Sequence, residues 1–221
     1  MTRNSTQQVR ETHNRLAHVY AHRYVDELES KPLDRELLNR LVADVKGRGD
    51  VCDIGCGPGH IARFLRDAGA RVFGLDLSPG MTEQARNLNP DISFQLGDMM
   101  ALPLRDQSVA GIVAFYAIVN TPPDSLPTAF QEMLRVLQAE GLLLLSFHIG
   151  DETLRPDELL GQRISMDFFF FQPGDIRRHL EKAGFAIEDI VEREPYAADV
   201  EYQSRRAYIF ARRQSKNARR K

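Results

Sequence analysis

Tryptophan is absent from this chain of 221 residues, and cysteine occurs only twice. Two cysteines cannot make the disulfide framework of a small secreted fold. Cys52 and Cys56 lie on one strand and in its turn, where neighbouring side chains diverge. They read as small reduced residues packed close to a ligand. Two thiols alone do not make a zinc site, so no metal is expected. No apolar run reaches the roughly 18–20 residues of a membrane helix. Residues 1–8 lack the apolar segment of a signal peptide. The expectation is a cytoplasmic protein, monomer or homodimer, without membrane contact. An excess of one charge is missing too. Lys plus Arg number 29 and Asp plus Glu 31, a net charge of −2, so the overall balance does not point to nucleic acid. One local exception is Arg212, Arg213, Lys216, Arg219, Arg220 and Lys221. A basic end can bind phosphates. It reads first as a solvated, disordered tail.

The chain is 43% hydrophobic, enough for a core of ordinary size. With no Gly/Ser linker, it reads as a helical cap or lid (1–47), one domain (48–213) and the tail (214–221). Leu16, Val19, Tyr20 and Leu28 share a helical face, which predicts an amphipathic helix over 6–29. Pro32 sits near the start of a second helix that ends at Gly47. Strands are predicted at 50–54, 71–76, 92–96, 109–116, 141–147, 185–192 and 205–212. Helices are predicted at 59–68, 79–88, 124–138 and 173–183. The runs 109–119 and 142–145 are apolar without alternation, as in strands covered on both faces. Such alternation of strand and helix implies an α/β fold with a doubly wound sheet.

Val51 to His60 is the most informative stretch. A short apolar strand runs into Asp53-Ile-Gly55-Cys-Gly57-Pro-Gly59, and a helical stripe of Ile61, Phe64, Leu65 and Ala68 runs out. Glycines there let a ligand touch bare backbone, and the next helix start offers free N–H groups. A dinucleotide site spells its loop G-x-G-x-x-G to seat a pyrophosphate. Here the spacing is G-x-G-x-G with an acid two residues ahead. A carboxylate at that place repels a pyrophosphate and pairs with an ammonium. Asp76 ends the next strand, about 20 residues on, where a carboxylate can take both hydroxyls of a ribose. Asp98 follows the third strand and can accept from an adenine amino group, with the Met99 N–H meeting a ring nitrogen. An ammonium, a ribose and an adenine without phosphates describe S-adenosylmethionine.

These residues resemble the class I S-adenosylmethionine-dependent methyltransferases of small-molecule type. Asp53-x-Gly55-x-Gly57-x-Gly59 is similar to that family's first motif, Gly74-Leu-Asp76-Leu-Ser78 to its second and Gly97-Asp98-Met99 to its adenine motif. Gly111 to Tyr116, Arg135 to Leu145 and Ala183-Gly184-Phe185 follow in family order, so the likeness covers residues 12–213. It implies a Rossmann-like seven-stranded sheet whose last strand, 205–212, is antiparallel. It also implies that the N-terminal helix folds over the cofactor as a lid. The cofactor residues expected are Tyr20, Asp53, Gly55, Cys56, Gly57, Gly59, His60, Asp76, Leu77, Asp98, Met99 and Phe115. Among these Gly55 and Gly57 line the methionine part, Phe115 borders the sulfonium and His60 lies near the cofactor carboxyl group.

Methyl transfer from a sulfonium needs in-line approach more than acid–base chemistry. Little machinery is therefore expected, and no metal cluster or nucleophile–base pair is visible. His148, at the carboxyl end of a central strand, is the candidate base, and Tyr116 the second catalytic candidate. Tyr24, Asn120 and Phe169 are candidates for the acceptor pocket. The family pattern has histidine at the position of Asn120, so a base is not expected there. Of the four consecutive residues Phe168 to Phe171, two are expected in the core and two in the pocket or against a partner. Lys31 and Arg35 are candidates to pair with the cofactor carboxylate or to hinge the lid, and Arg205 or Arg206 to meet an acidic substrate. The expected activity is methyl transfer to oxygen, nitrogen or sulfur of a small molecule. The alternatives are a non-catalytic binder of the same cofactor and an RNA methyltransferase. The latter rests only on the tail, since Asn120-Thr-Pro-Pro is not the Asn/Asp-Pro-Pro-Tyr motif of base-amino methylases.

Overall fold

The computed structural model describes residues 5–214. In chain order the elements are α1 (Thr6–Tyr24), a 3₁₀ turn (Glu27–Ser30), α2 (Pro32–Val45), β1 (Val51–Ile54) and α3 (His60–Asp67). Next come β2 (Val72–Asp76), α4 (Pro79–Leu88), β3 (Ser93–Leu96), β4 (Val109–Phe115), α5 (Leu126–Val136) and β5 (Leu137–His148). Short strands β6 (Thr153–Leu154), β7 (Glu158–Leu159), β8 (Gln162–Arg163) and β9 (Phe168–Phe169) precede α6 (Pro173–Ala183), β10 (Phe185–Arg193) and β11 (Arg206–Arg213).

The main sheet has seven strands in the order β10-β11-β5-β4-β1-β2-β3. All neighbours pair in parallel except β11, which is antiparallel to both β5 and β10. The chain leaves β1 toward β2 and β3, then returns to place β4 on the other side. Ligand clefts form outside the carboxyl ends of strands at such a switch point. β4 and most of β5 are buried along their length, as their unbroken apolar runs require. No helix of the described residues is long and apolar enough to cross a membrane.

The helix boundaries follow local chemistry. Ser5 and Gln8 form a reciprocal capping box at the start of α1. Proline opens α2, α4 and α6 at a position where its missing N–H costs nothing. Gly184 closes α6 in the left-handed conformation. Two expectations from periodicity are corrected. The helix expected over 6–29 stops at Tyr24 and continues as the 3₁₀ turn. There Arg35 Nη1 donates to the carbonyls of Leu28 (2.6 Å) and Glu29 (2.5 Å), which holds the turn in place. Arg35 thus braces the lid. The fifth strand starts at Leu137 rather than 141, because α5 passes straight into it. Its pairing with β4 jumps a register near Glu140, whose φ is 59°.

Two large cores lie on the two faces of the sheet. One joins β1, β4, β5 and β11 to α5 and α6. The other joins Leu37, Leu38, Leu41 and Val45 of α2 to the sheet and α3. α1 instead lies across α4. Asn14 Oδ1 accepts from Ser78 Oγ (2.8 Å) and Gly80 N (2.7 Å), beside Ala17. Of the basic end, Arg212 pairs with Asp44 and Glu188, and Arg213 donates to the carbonyls of Leu134, Arg135 and Leu137. Both therefore staple the sheet edge and are not part of a free tail. Lys216, Arg219, Arg220 and Lys221 lie outside the described residues.

Candidate functional site

A cavity of about 930 Å³ opens at the carboxyl ends of β1 to β5, roofed by α1 and by residues 154–170. Its volume is at the top of the range for single-ligand pockets, about 300–1,000 Å³.

The glycine turn forms one end. Gly55, Gly57 and Gly59 all have positive φ, at 69°, 51° and 84°. The three are glycine for different reasons. A Cβ on Gly55 would stand 2.8 Å from that of Ala117. On Gly57 it would meet only a Tyr20 ring carbon at 3.9 Å, so this backbone faces open cavity. On Gly59 it would strike the Phe94 ring at 2.7 Å and Asn89 Nδ2 at 2.9 Å. Gly59 does not line the cavity, although its motif position placed it with the cofactor. It caps α3 and lets that helix close on β3. Cys56 lines the cavity and is buried, and burial keeps its thiol protonated.

Three carboxylates stand at the ends of β1, β2 and just beyond β3, all lining the cavity. Asp53 is 1% exposed, and its Oδ2 has no hydrogen-bond partner among the described residues. Burial pushes its carboxyl up to about 7. A carboxylate in that state is a ready partner for a cation. Asp76 is pinned from both sides. Its Oδ2 accepts from Gly57 N (2.9 Å) and its Oδ1 from Ser78 N (2.8 Å). Each carboxylate oxygen keeps a further lone pair for a ligand hydroxyl. Asp98 Oδ1 accepts from Met100 N (2.8 Å), which orients it beside Met99 and Leu77 at the cavity wall.

The lid contributes one face of α1. Val9, His13, Tyr20 and Tyr24 recur at helical spacing and all line the cavity. His13 was not foreseen, although its place four and seven residues from Val9 and Tyr20 was a signal. Its Nδ1 lies 3.0 Å from the Val9 carbonyl, so that N–H donates. Burial lowers its imidazole and the charge of Asp76 opposes this. Past α1, His60 Nε2 donates to Glu27 Oε1 (2.7 Å), and Lys31 Nζ to Glu27 Oε2 (2.6 Å). Burial would raise the Glu27 carboxyl, but these two partners hold it at about 2. His60 thus ties the lid to the start of α3, while its Nδ1 is buried without a partner among the described residues.

The other end of the cavity is walled by Phe115, Tyr116, Asn120, His148, Phe168, Phe170, Tyr202 and Arg206. Here the expectations divide. Asn120 lines the cavity, and its Nδ2 donates to the Asp167 carbonyl (3.0 Å), bracing the 150–172 segment. Phe169, expected in the pocket, is buried in the core with Phe171. Phe168 and Phe170 face the cavity instead. Pairing of Phe169 with Thr153 and Phe168 with Leu154 sets this parity, and a strand shifted by one residue would invert it. His148 and Tyr116 are both at the cavity, but neither is basic in the way a proton acceptor must be. Burial, then Arg206, push the His148 imidazole down to about 3. Burial raises the Tyr116 phenol, so it stays protonated at neutral pH. Both are hydrogen-bonding groups here. His148 Nδ1 meets Ser204 Oγ at 2.7 Å, and Tyr116 Oη meets Tyr208 Oη at 3.4 Å.

A family model described as methyltransferase domain matches residues 51–141. Curated relatives include a malonyl-[acyl-carrier protein] O-methyltransferase of Serratia marcescens, 37% identical over 43% of this chain and 37% of that one. A demethylmenaquinone methyltransferase of Renibacterium salmoninarum is 36% identical over 48% and 46%. A probable S-adenosylmethionine-dependent methyltransferase of Mycolicibacterium smegmatis is 31% identical over 68% and 56%. The matches thus span about a third to just over half of these relatives' lengths. Among solved structures, a magnesium protoporphyrin IX methyltransferase of Synechocystis with bound cofactor superposes with a TM-score of 0.71 at 21% identity, over 96% of this chain and 98% of that one. The [4+2]-cyclase SpnF superposes at 0.72 and 19%, over 96% and 97%. At these identities both likenesses concern the fold.

Proposed function

The chain belongs to the class I S-adenosylmethionine-dependent methyltransferases, and from that membership we propose that it methylates oxygen, nitrogen or sulfur of a small molecule. One observation carries the reading. Asp53 with its unpartnered Oδ2, the pinned Asp76 and the oriented Asp98 stand in a row along three adjacent strand ends, beside the bare backbone of Gly57. Such a row matches an ammonium, a ribose and an adenine in the order in which S-adenosylmethionine carries them.

The cofactor supplies a methyl already activated on a sulfonium, with a neutral thioether as leaving group. The protein's part is to bind, orient and exclude water. Asp53 would take the ammonium and Asp76 the ribose hydroxyls. Asp98 and the Met99 N–H would take the adenine, with Leu77 against the ring. Tyr20, Cys56 and Phe115 would close on the methionine part, and His60 lies at the same end. The α1 roof keeps water from the sulfonium. The sulfonium end would then face Tyr116, His148 and Asn120, where the acceptor would lie. Tyr24 and Phe170 wall that side. The reading further places the protein in the cytoplasm, as monomer or homodimer. Two free buried thiols support a reducing compartment.

Calorimetry with S-adenosylmethionine tests the site. Micromolar-range binding is expected, lost in Asp76→Ala. Equal binding by the variant would sink the assignment of Asp76. Mass spectrometry of an acceptor panel after incubation with the cofactor separates an enzyme from a silent binder.

A further inference from the structure

Building on the methyltransferase reading, we propose that the acceptor is an oxyanion on a flat, unsaturated body, met by Arg206 and clasped by His148, Phe170 and Tyr202. Two independent features of the acceptor end point there.

The first is the shape of its walls. His148 and Phe170 stack with ring centroids 5.0 Å apart at 18°. Tyr202 stands edge-on to both, at 6.1 Å and 89° to His148 and 6.2 Å and 86° to Phe170. Tyr116 flanks His148 at 5.1 Å. Tyr202 is 59% exposed, so a large ring is left in water at the rim of the cavity. Aromatic rings arranged face and edge favour a flat unsaturated partner over a saturated one.

The second feature is charge. Lys31, Arg193 and Arg206 all act on His148 in the sense that opposes a positive ring, and Glu201 alone opposes them. The neighbouring carboxylates are already engaged. Glu27 holds Lys31 and His60. Glu201 holds Arg193 in a two-point contact at 2.5 and 3.0 Å, and Asp34 faces Arg193 too. Arg206 is left with a 3.5 Å approach to the shared Glu201. Its Nη1 donates to Ser204 and its Nη2 to the Tyr202 carbonyl (2.6 Å). Its Nε is buried without a partner among the described residues, and the side chain is 3% exposed. Burial is the first cause that keeps His148 neutral, and the charges that add to it also oppose a cationic acceptor. An anionic one is stabilised by them.

The chemistry balances without a base. An oxygen lone pair of the anion forms the new C–O bond as the C–S bond breaks, and that electron pair stays on sulfur. The acceptor's negative charge and the sulfonium's positive charge cancel, leaving a neutral ester or ether and a neutral thioether. No proton moves in this step, which agrees with the weak basicity of His148 and Tyr116. The methylated product has lost its ion pair with Arg206, and this favours its release.

Titration of the full chain saturated with S-adenosylhomocysteine decides the matter. The probes are 2-naphthoate, its neutral isostere 2-naphthamide, the cation 2-naphthylmethylamine and saturated cyclohexanecarboxylate. The acid should bind about tenfold or more tightly than the amide, as expected of a charge-assisted contact. This ratio should fall toward one in Arg206→Gln and survive in part in Arg206→Lys. Phe170→Leu should weaken naphthoate severalfold and leave cyclohexanecarboxylate within about twofold. Amide or amine binding as well as acid overturns the proposal, and so does a Phe170→Leu effect equal for both acids. Should Arg206 variants fail to fold, the wild-type ratio and its decline with salt decide alone. Failure to bind S-adenosylhomocysteine counts against the methyltransferase reading; normal binding of it with an acid-to-amide ratio of one counts only against the anion. With S-adenosylmethionine present, 2-naphthoate yielding its methyl ester or 2-naphthol its methyl ether tells carboxylates from phenolates.

Discussion

The two ends of the cavity are built on different plans. At the cofactor end the three carboxylates sit at or just past the ends of strands within residues 53–98, and Asp76 and Asp98 are held by backbone N–H groups. At the acceptor end the groups come from the lid, from β4 and β5, from residues 154–170 and from the loop before β11. Its charges are held by one another: Lys31, Arg193 and Arg206 around Glu201, with Asp34 and Glu27 at the edges. A site anchored to backbone tolerates the loss of one side chain, while a buried charge network does not. Removing one partner there strands the rest in a medium that solvates them poorly.

Glu201→Gln breaks the comparison hardest. It leaves Arg193, 9% exposed, without its two-point partner. A loss of about 3–5 kcal/mol in urea denaturation is expected, as for other buried pairs with one member removed. A change below about 1 kcal/mol would show that the network carries no such weight.

Within the cofactor end, Gly59→Ala and Gly57→Ala sharpen the difference between a packing glycine and a ligand glycine. At Gly59 a left-handed φ combines with a clash on Phe94 and Asn89. Thermal melts should report a loss of about 2–4 kcal/mol. At Gly57 only the backbone strain applies, about 1 kcal/mol, while cofactor affinity should collapse in calorimetry. Equal stability losses in the two variants would contradict this division.

Asp53 gives the most distinctive pH dependence. Its folded carboxyl sits near 7, above its ordinary value, because it is buried. Between pH 4 and 7 the folded state therefore binds the extra proton, so this group makes stability fall as pH rises. Asp53→Asn should remove that fall, on the order of 1–4 kcal/mol across the window, in urea titrations at several pH values. An ammonium ligand needs the ionised form. Below pH 7 cofactor affinity should thus weaken up to about tenfold per unit in the native protein and stay flat in Asp53→Asn. A native affinity independent of pH would remove Asp53 from the ammonium.

Most of the cofactor end was legible in the sequence for a physical reason. Asp53, Gly55, Gly57, Asp76 and Asp98 act where strand meets turn, and turn chemistry is local. Gly59, placed with them by its motif position, does not line the cavity, and its constraint comes from Phe94, thirty-five positions away in sequence. His13 was missed, though the helical spacing of Val9, His13 and Tyr20 contained it. At the acceptor end single residues were visible but their alliances were not. His148 looked like a base in the sequence, but burial and then the nearby Arg206 lower its imidazole in the packed chain. Asn120 lines the cavity and also braces the 150–172 segment, and only the second role was invisible in the sequence.

The sequence by itself determined the order of strands and helices, the turn that bares its backbone and the carboxylates that stand at three strand ends. Each of these depends on residues within a few positions of one another. Only the tertiary structure decided which phenylalanines face the cavity, which arginine lies closest to unpartnered and whether a histidine can hold a proton. Strand register, burial and the summed field of distant charges are properties of the packed chain. They exist only once segments far apart in sequence have been brought within a few ångströms.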